Sequence, residues 1–330
     1  MKALVTGGGG FLGRAIVEQL LARGDSVRSF ARGDYPELTK LGAEVVRGDI
    51  EDAAGVAQAA KGVDVVFHVA ARPGIWGPRE SFYGPNVRGT ENVIAACRAH
   101  GIGKLVHTSS PSVVFTGKSL EGANESVPYP EHYEAYYPET KALAEKAVVA
   151  ANSPGLATVS LRPHLIWGPR DNHLVPRILE RGKRGQLRRL GSSENKVDSI
   201  YIDNAADAHL AAADKLAPGS PVAGRCYFVS NGEPRPLWDL VNAILAAGGL
   251  PPVTRSIPHG LARFAGLVFE GAYGLLGLDG EPRMTRFLAD ELATAHWFDI
   301  SAARRDLGWE PRVSIDAGLA RLAEWLATRG

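Results

Sequence analysis

The 330-residue sequence predicts an α/β fold, a doubly wound parallel sheet followed by a smaller C-terminal lobe. Three observations predict it. Short apolar runs alternate with longer helical patterns through the first two thirds of the chain. A glycine-rich turn joins the first apolar run to the first helical pattern. After Pro163 the alternation breaks, and glycine, proline and charge become denser.

The elements follow in order. Lys2 to Thr6 reads as a strand, and Phe11 to Ala22 as a helix with Ile16, Val17, Leu20 and Leu21 at helical spacing. Ser26 to Phe30, Glu44 to Val46 and Val63 to Phe67 read as the second, third and fourth strands. Asn86 to Ala99 is a helix, Lys104 to His107 a fifth strand, Glu134 to Ala151 a long helix and Ala157 to Leu161 a sixth strand. Strands that are apolar nearly throughout, joined by helices, belong in a parallel sheet covered on both faces. Right-handed crossovers are expected.

Composition narrows the function classes. With 45% hydrophobic and 22% charged residues, the chain is neither disordered nor a coiled coil. Its 37 basic and 36 acidic residues leave a net charge of +1, unlike a general nucleic-acid binder. Two cysteines, Cys97 and Cys226, form no framework and suit a reducing compartment. Met1 to Thr6 alone precede the first glycine, too few for the apolar core of a secretory signal, and no uncharged apolar run reaches about 18 residues. A cytoplasmic protein is the expectation.

Gly7, Gly10 and Gly13 follow the first strand in G-x-x-G-x-x-G spacing. Such a turn needs positive φ and a backbone without Cβ, so that a pyrophosphate can approach. The helix that starts at Phe11 and Leu12 offers free N–H groups to that anion. A plain glycine turn is the bland alternative. The second strand ends at Arg32 where an NAD site usually places an acid. Arg32, with Arg28, suits a 2′-phosphate and favours NADP over NAD; a solvated loop charge is the alternative. Asp49 and Ile50, after the third strand, are candidates for the adenine, and Val69, Ala70 and Ala71, after the fourth, for the adenosine ribose. These features make residues 1–165 a dinucleotide-binding Rossmann domain, with 197–229 returning to it through the strand-like runs Val197 to Ile202 and Cys226 to Val229. Residues 166–196 and 230–330 make up the substrate lobe, loop-rich and with shorter helices.

Tyr137 and Lys141 are four residues apart near the start of the long helix, on one face. A neighbouring ammonium stabilises a phenolate and lowers its pKa, and such a tyrosine can exchange a proton with a carbonyl or alcohol oxygen. Lys141 can also hold a cofactor ribose. The fifth strand ends in Thr108-Ser109-Ser110, at the edge that faces the ligand crevice in doubly wound folds. A hydroxyl there can align a substrate oxygen against Tyr137.

The glycine turn, the serine and the Tyr/Lys pair, in this order, resemble the extended short-chain dehydrogenase/reductase family along essentially the whole chain. Asn86-Val87-Arg88-Gly89-Thr90, Arg162-Pro163 with Ile166-Trp167-Gly168-Pro169, and Tyr201-Ile202-Asp203-Asn204 match further segments of that family. Ser109 to Phe115 resembles its 3β-hydroxysteroid dehydrogenase branch. Tyr35-Pro36-Glu37-Leu38, Arg162 to Asp171 and Met284 to Leu288 are similar to bacterial reductases of olefin biosynthesis within that branch. The resemblance implies Ser110 as the active-site hydroxyl (Ser109 if the register slips by one), Tyr137 as acid/base, Lys141 as its partner and Asn86 as an orienting group. It implies cofactor contacts from Thr108, Pro163, Leu165 and Ile166, and a homodimer. The family often has Asn where His68 stands, and a packed strand residue is expected there.

The function implied is NADP-dependent reduction of the keto group of a hydrophobic β-keto acid. Arg or His residues of the second lobe are expected to hold the carboxylate. Alternatives are a 3β-hydroxysteroid or sterol-4-carboxylate dehydrogenase, a sugar-nucleotide epimerase or dehydratase, and a non-catalytic NADP-sensing regulator. Substrate contacts are expected from Trp76, Ser110, His164 and Trp167. Trp76 and Trp167 lie in two copies of Ile-Trp-Gly-Pro-Arg that could line one cleft. Near His164 and His173 there is no Cys or carboxylate at ligand spacing, so no metal site is expected. Six basic residues between Arg177 and Arg189 read as a solvated helix and loop, or as capture of an acidic substrate. The apolar stretch 260–278 reads as a cap over a greasy pocket, or as a face for an enzyme partner or a membrane surface.

Overall fold

The computed structural model describes residues 1–190, 194–278 and 280–329. Seven parallel strands make the main sheet: β1 (Lys2–Thr6), β2 (Ser26–Ala31), β3 (Glu44–Arg47), β4 (Val65–His68), β5 (Lys104–Thr108), β6 (Ala157–Pro163) and β7 (Arg225–Val229). Their order is β7-β6-β5-β4-β1-β2-β3. The chain starts at the centre, winds out to β3, then reverses to wind out through β4, β5, β6 and β7. The ends of β1 and β4 meet at this switch point, where doubly wound sheets bind ligands.

Alternation along each strand feeds two cores. Ala3, Val5, Phe67 and Val106 pack under α1 (Phe11–Ala22), through Ile16 and Leu20. Leu4, Val66 and Leu105 face the other way, toward Val56 of α2 (Ala53–Ala60), Val93 of α3 (Gly89–Ala99) and Val148 of α4 (Tyr136–Ala151). A period of two in the strands and of 3.6 in the helices supplies both faces.

Two expectations about the second half change. Of 197–229, only β7 joins the main sheet. Lys196–Val197 instead pairs with Arg235–Pro236 and His296–Phe298 in a small sheet that also takes Leu120–Ala123 from the first lobe. Ile202–Lys215 is a helix, α5, and packs on α1. The short apolar run before it carried too few residues to separate strand from helix. Nor are the later helices short: α6 (His259–Leu276) has 18 residues.

Only Ala262 and Gly266 of α6 are buried, and a Cβ on Gly266 would lie 2.6 Å from the Thr285 backbone, just before α7 (Arg286–Ala293). Leu261, Phe264, Leu275 and Leu276 are exposed. Much of the apolar surface of this helix therefore lies open to solvent. Among the described residues no helix is long and apolar enough to cross a membrane.

Candidate active site

The candidate site lies where β1, β4, β5 and β6 end. Gly7 leaves β1 at φ +70°, and a Cβ there would lie 2.9 Å from the Ala70 backbone. On Gly13 a Cβ would lie 2.1 Å from the Gly7 carbonyl oxygen. Glycine alone lets α1 start this close to β1. Gly10 caps α1 without a side-chain bond, so the first-turn N–H groups of Phe11, Leu12 and Gly13 have no helix carbonyl to reach. A cleft lined by Gly9, Gly10, Phe11, Arg14, Arg170 and Ile202 adjoins them. The cradle fits a dinucleotide pyrophosphate.

Arg32 is exposed, and its guanidinium makes no hydrogen bond or ion pair among the described residues. Arg28 does not stand with it. Arg28 donates to the carbonyls of Ala59 and Lys61 at 2.6 and 2.9 Å and pairs with Glu44 at 2.9 Å. Asp49 Oδ1 accepts from the Glu51 N–H at 3.0 Å. Ile50 is a buried core residue packed on Gly89, so only its backbone could meet a cofactor.

A buried bracket sets the Val69–Ala71 segment. Thr6 Oγ1 accepts from the N–H groups of Val69 and Ala70, both at 3.2 Å. Its own proton goes to His68 Nδ1 at 2.8 Å. His68 Nε2 donates to Thr90 Oγ1 at 2.9 Å, and Thr90 donates to the Asn86 carbonyl at 2.6 Å. Burial, with the Lys141 charge beside it, pushes the His68 pKa down to about 3. His68 is a neutral packed strand residue that ties the end of β4 to β1 and α3.

Asn86 lies in a π-helical turn, Gly84–Arg88, ahead of α3. Its Oδ1 accepts from the Arg72 N–H at 2.7 Å, and its Nδ2 donates to the Arg72 carbonyl at 3.2 Å and to Thr140 Oγ1 at 3.0 Å. The amide therefore pins the segment after β4 to the first turns of α4 and positions the site from outside.

Ser110 Oγ accepts from the Ser112 N–H at 3.2 Å and from Ser112 Oγ at 2.9 Å. Its own proton is thereby turned to its remaining partner, the Tyr137 hydroxyl. Ser109 is buried, whereas Ser110 is half-buried at the sheet edge, so the register places Ser110 in the site. Lys141 Nζ donates to the Thr108 carbonyl at 2.6 Å and approaches His107 Nε2 at 3.4 Å. An ammonium has three protons, so one is left for a ligand. Burial pulls the Lys141 pKa down to about 8, against the opposing pull of Glu145.

The expected lowering of the Tyr137 pKa is corrected. Burial raises it, the Ser110 hydrogen bond opposes, and the charge of Glu291 raises it further, so the net shift is upward. Spacing put Lys141 one turn away, but the lysine spends its bonds on β5. Thr108 is committed as well, since its hydroxyl donates to His209 Nε2 at 2.8 Å. His209 gives its one ring proton, on Nδ1, to the Ala205 carbonyl, so Nε2 is left to accept, which fixes that direction.

The substrate candidates separate. Trp76 stacks edge-on against Tyr273 of α6, with ring centres 6.3 Å apart. Trp167 is fully buried, bonded through Nε1 to Ser199 Oγ at 3.1 Å and edge-on to Tyr201. It is a core residue, so the two Ile-Trp-Gly-Pro-Arg copies do not share a cleft wall. Pro163 is buried at the end of β6. Leu165 (φ 43°) and Arg170 (φ 71°) bracket Ile166–Trp167 as strained non-glycine positions, a hallmark of ligand sites.

His164 is no carboxylate-holding cation. His296 Nε2 donates to the Glu291 carbonyl at 2.8 Å, so His296 Nδ1 accepts from His164 Nε2 at 2.6 Å. Burial holds both imidazoles neutral. The basic run is largely committed too. Arg177 pairs with Glu281, Arg184 with Glu180 at 2.7 Å, and Arg188 and Arg189 bond backbone carbonyls. Among the described residues no group of three His, Cys, Asp or Glu could hold a metal ion.

Sequence reasoning missed Ser112, Glu291 and the two arginines of the glycine-turn cleft. Glu291 belongs to α7, more than 150 residues from Tyr137 in sequence, and no local pattern announces it.

A model of the 3-beta hydroxysteroid dehydrogenase/isomerase family matches residues 4–258. The chain is 53% identical over 324 residues to a 2-alkyl-3-oxoalkanoate reductase of Stenotrophomonas maltophilia, covering 98% of each chain. It is 34% identical over 331 residues to the sterol-4-alpha-carboxylate 3-dehydrogenase, decarboxylating, of Homo sapiens, covering 98% of this chain and 87% of the relative. The crystal structure of gox2253 superposes with a TM-score of 0.80 at 27% identity, covering 99% of this chain and 98% of that one.

Proposed function

Since the chain belongs to the 3-beta hydroxysteroid dehydrogenase/isomerase family, a branch of the NAD(P)-dependent extended short-chain dehydrogenases and reductases, we propose that it reduces the keto group of a hydrophobic 2-alkyl-3-oxoalkanoate with NADPH. The convergence of Ser110, Tyr137 and Lys141 where β5 ends against the start of α4 carries the reading. The names of the two relatives describe one chemical unit. In each, the reacting oxygen is on the carbon next to a substituted carbon that bears a carboxylate. The shared substrate class is thus an α-substituted β-oxygenated acid.

The glycine cradle and α1 would hold the pyrophosphate, and Arg32, whose guanidinium has no partner among the described residues, suits a 2′-phosphate. When bound, the cofactor supplies the hydride. Tyr137, kept protonated, hands its proton to the carbonyl oxygen. Ser110, whose proton faces the Tyr137 oxygen, orients the phenol that gives its proton to the carbonyl, and the third Lys141 proton is left for a ribose hydroxyl.

The test follows NADPH and NADH oxidation by absorbance, with a racemic 2-alkyl-3-keto acid and with a 3-ketosteroid. Turnover of NADPH with the keto acid is expected. A fall of about 100-fold or more is expected in Tyr137→Phe, with cofactor binding kept. Turnover of the steroid alone would move the substrate to the steroid branch, and full activity of Tyr137→Phe would sink the mechanism.

A further inference from the structure

Ketone reduction consumes one proton per turnover, and a half-buried tyrosine must be resupplied with it. The structure holds a chain of hydroxyls that leads to Tyr137. Ser112 Oγ donates to Ser110 Oγ at 2.9 Å, and Ser110, already accepting from Ser112, directs its proton at the Tyr137 oxygen. Behind Ser112 lies a small cavity lined by Ser112, His164, Glu291, His296 and apolar Phe115 and Phe298. Four of its lining residues carry polar groups, and it has room for about one water.

Glu291 is the acid of that cavity. Its carboxyl makes no hydrogen bond or ion pair among the described residues, although its charge reaches Tyr137. The titratable groups around it are Tyr137 from α4, His164 beyond β6 and His296 from the small sheet. Its neighbour Asp290 is turned away to His259 and Arg263 of α6.

We propose that Glu291, a water in this cavity, Ser112 and Ser110 form a proton wire that returns a proton to Tyr137 after each reduction. The inference rests on the reductase reading above. The Tyr137 O–H breaks as the product alcohol O–H forms. The phenolate then takes the Ser110 proton, Ser110 takes that of Ser112, Ser112 takes one from the water, and the water takes the Glu291 proton. Solvent recharges the carboxylate, and no electron moves along the wire. Burial keeps both imidazoles of the cavity neutral, which leaves Glu291 as the acid among its lining residues. Burial raises the Glu291 pKa to about 7, so the acid holds a transferable proton near neutral pH.

The test uses the full chain with NADPH and the keto acid, on wild type, Tyr137→Phe, Glu291→Gln and Ser112→Ala. In wild type, kcat should fall as pH rises through about 7, and rates in mixed H2O/D2O should bend as for several protons in flight. Glu291→Gln should lose about tenfold or more in kcat with KM unchanged, and lose that pH limb. Glu291→Asp should restore the limb. Ser112→Ala, which leaves the carboxyl in place, should lower kcat and remove the isotope curvature. Wild-type kcat with an unchanged pH profile in both Glu291→Gln and Ser112→Ala would overturn the wire. If instead Tyr137→Phe stays active, the reductase reading itself has failed.

Discussion

Replacing Arg32 by alanine isolates the cofactor preference. The guanidinium is exposed and has no partner among the described residues, so its removal orphans no buried group and opens no cavity. Any loss then reports a contact with the 2′-phosphate. A hydrogen bond to a charged group contributes about 1.5–3 kcal/mol. Exposure and counter-ions place this contact near the lower end, about 1.5–2 kcal/mol, which is about 10–30-fold in the KM for NADPH. NADH has no 2′-phosphate, so its kcat/KM should stay within about twofold. Steady-state kinetics with both cofactors, at low salt and near 0.5 M, give the answer, and the NADPH effect should shrink at high salt. Equal losses for the two cofactors, or no loss for NADPH, would refute the reasoning and leave Arg32 a solvated loop charge.

Two further outcomes follow from the buried charges. Glu145 accepts from Arg162 Nε at 2.9 Å and from Nη2 at 2.7 Å, with almost no exposure of either side chain. Glu145→Gln leaves that guanidinium buried without its counter-charge and should cost about 3–5 kcal/mol in urea unfolding; a loss below about 1 kcal/mol would show that water reaches the pair. Lys141, pulled from 10.5 down to about 8 by burial, binds its proton less tightly folded than unfolded. Relative to Lys141→Met, wild-type stability should therefore rise by about 3 kcal/mol as pH climbs from about 8 to 10.5; a flat difference across that window would refute the shift.

What was legible in the sequence was local. The glycine turn, Phe11–Ala22 and the Tyr137/Lys141 spacing each lie within one or two elements, where backbone sterics and helical period decide the outcome. The strands β1, β4 and β5 were readable because each is a short, mostly buried run rich in apolar residues. The misreadings all involve distant partners. Arg28 was expected beside Arg32, but the pleat of β2 turns it toward Glu44 and the end of α2. Trp167 follows a strand like Trp76 does, yet the packing of Tyr201 and Gly318 makes one a core residue and not the other. Leu120–Ala123 looked like part of the first lobe, and its pairing with His296–Phe298 is invisible without the fold. The Tyr137 pKa went the wrong way because spacing shows the nearest cation but not burial, nor the carboxyl that α7 brings in.

That last correction bears on direction. A dehydrogenase needs a base at this position, a phenolate able to take a proton from an alcohol. Here burial and the acid at Glu291 both disfavour the phenolate, and only the Ser110 hydrogen bond favours it. An ordinary tyrosine is already a phenol at neutral pH, and this balance keeps it one, the form that reduction consumes. Lys141 fits the same logic. A lysine buried beside neutral His107 and His68 weakens the fold below pH 8, so its place is better explained by what its third proton can hold than by packing. The sheet supplies a scaffold common to oxidation and reduction, and the groups that arrive from outside it, above all Glu291, tilt the phenol toward giving its proton away.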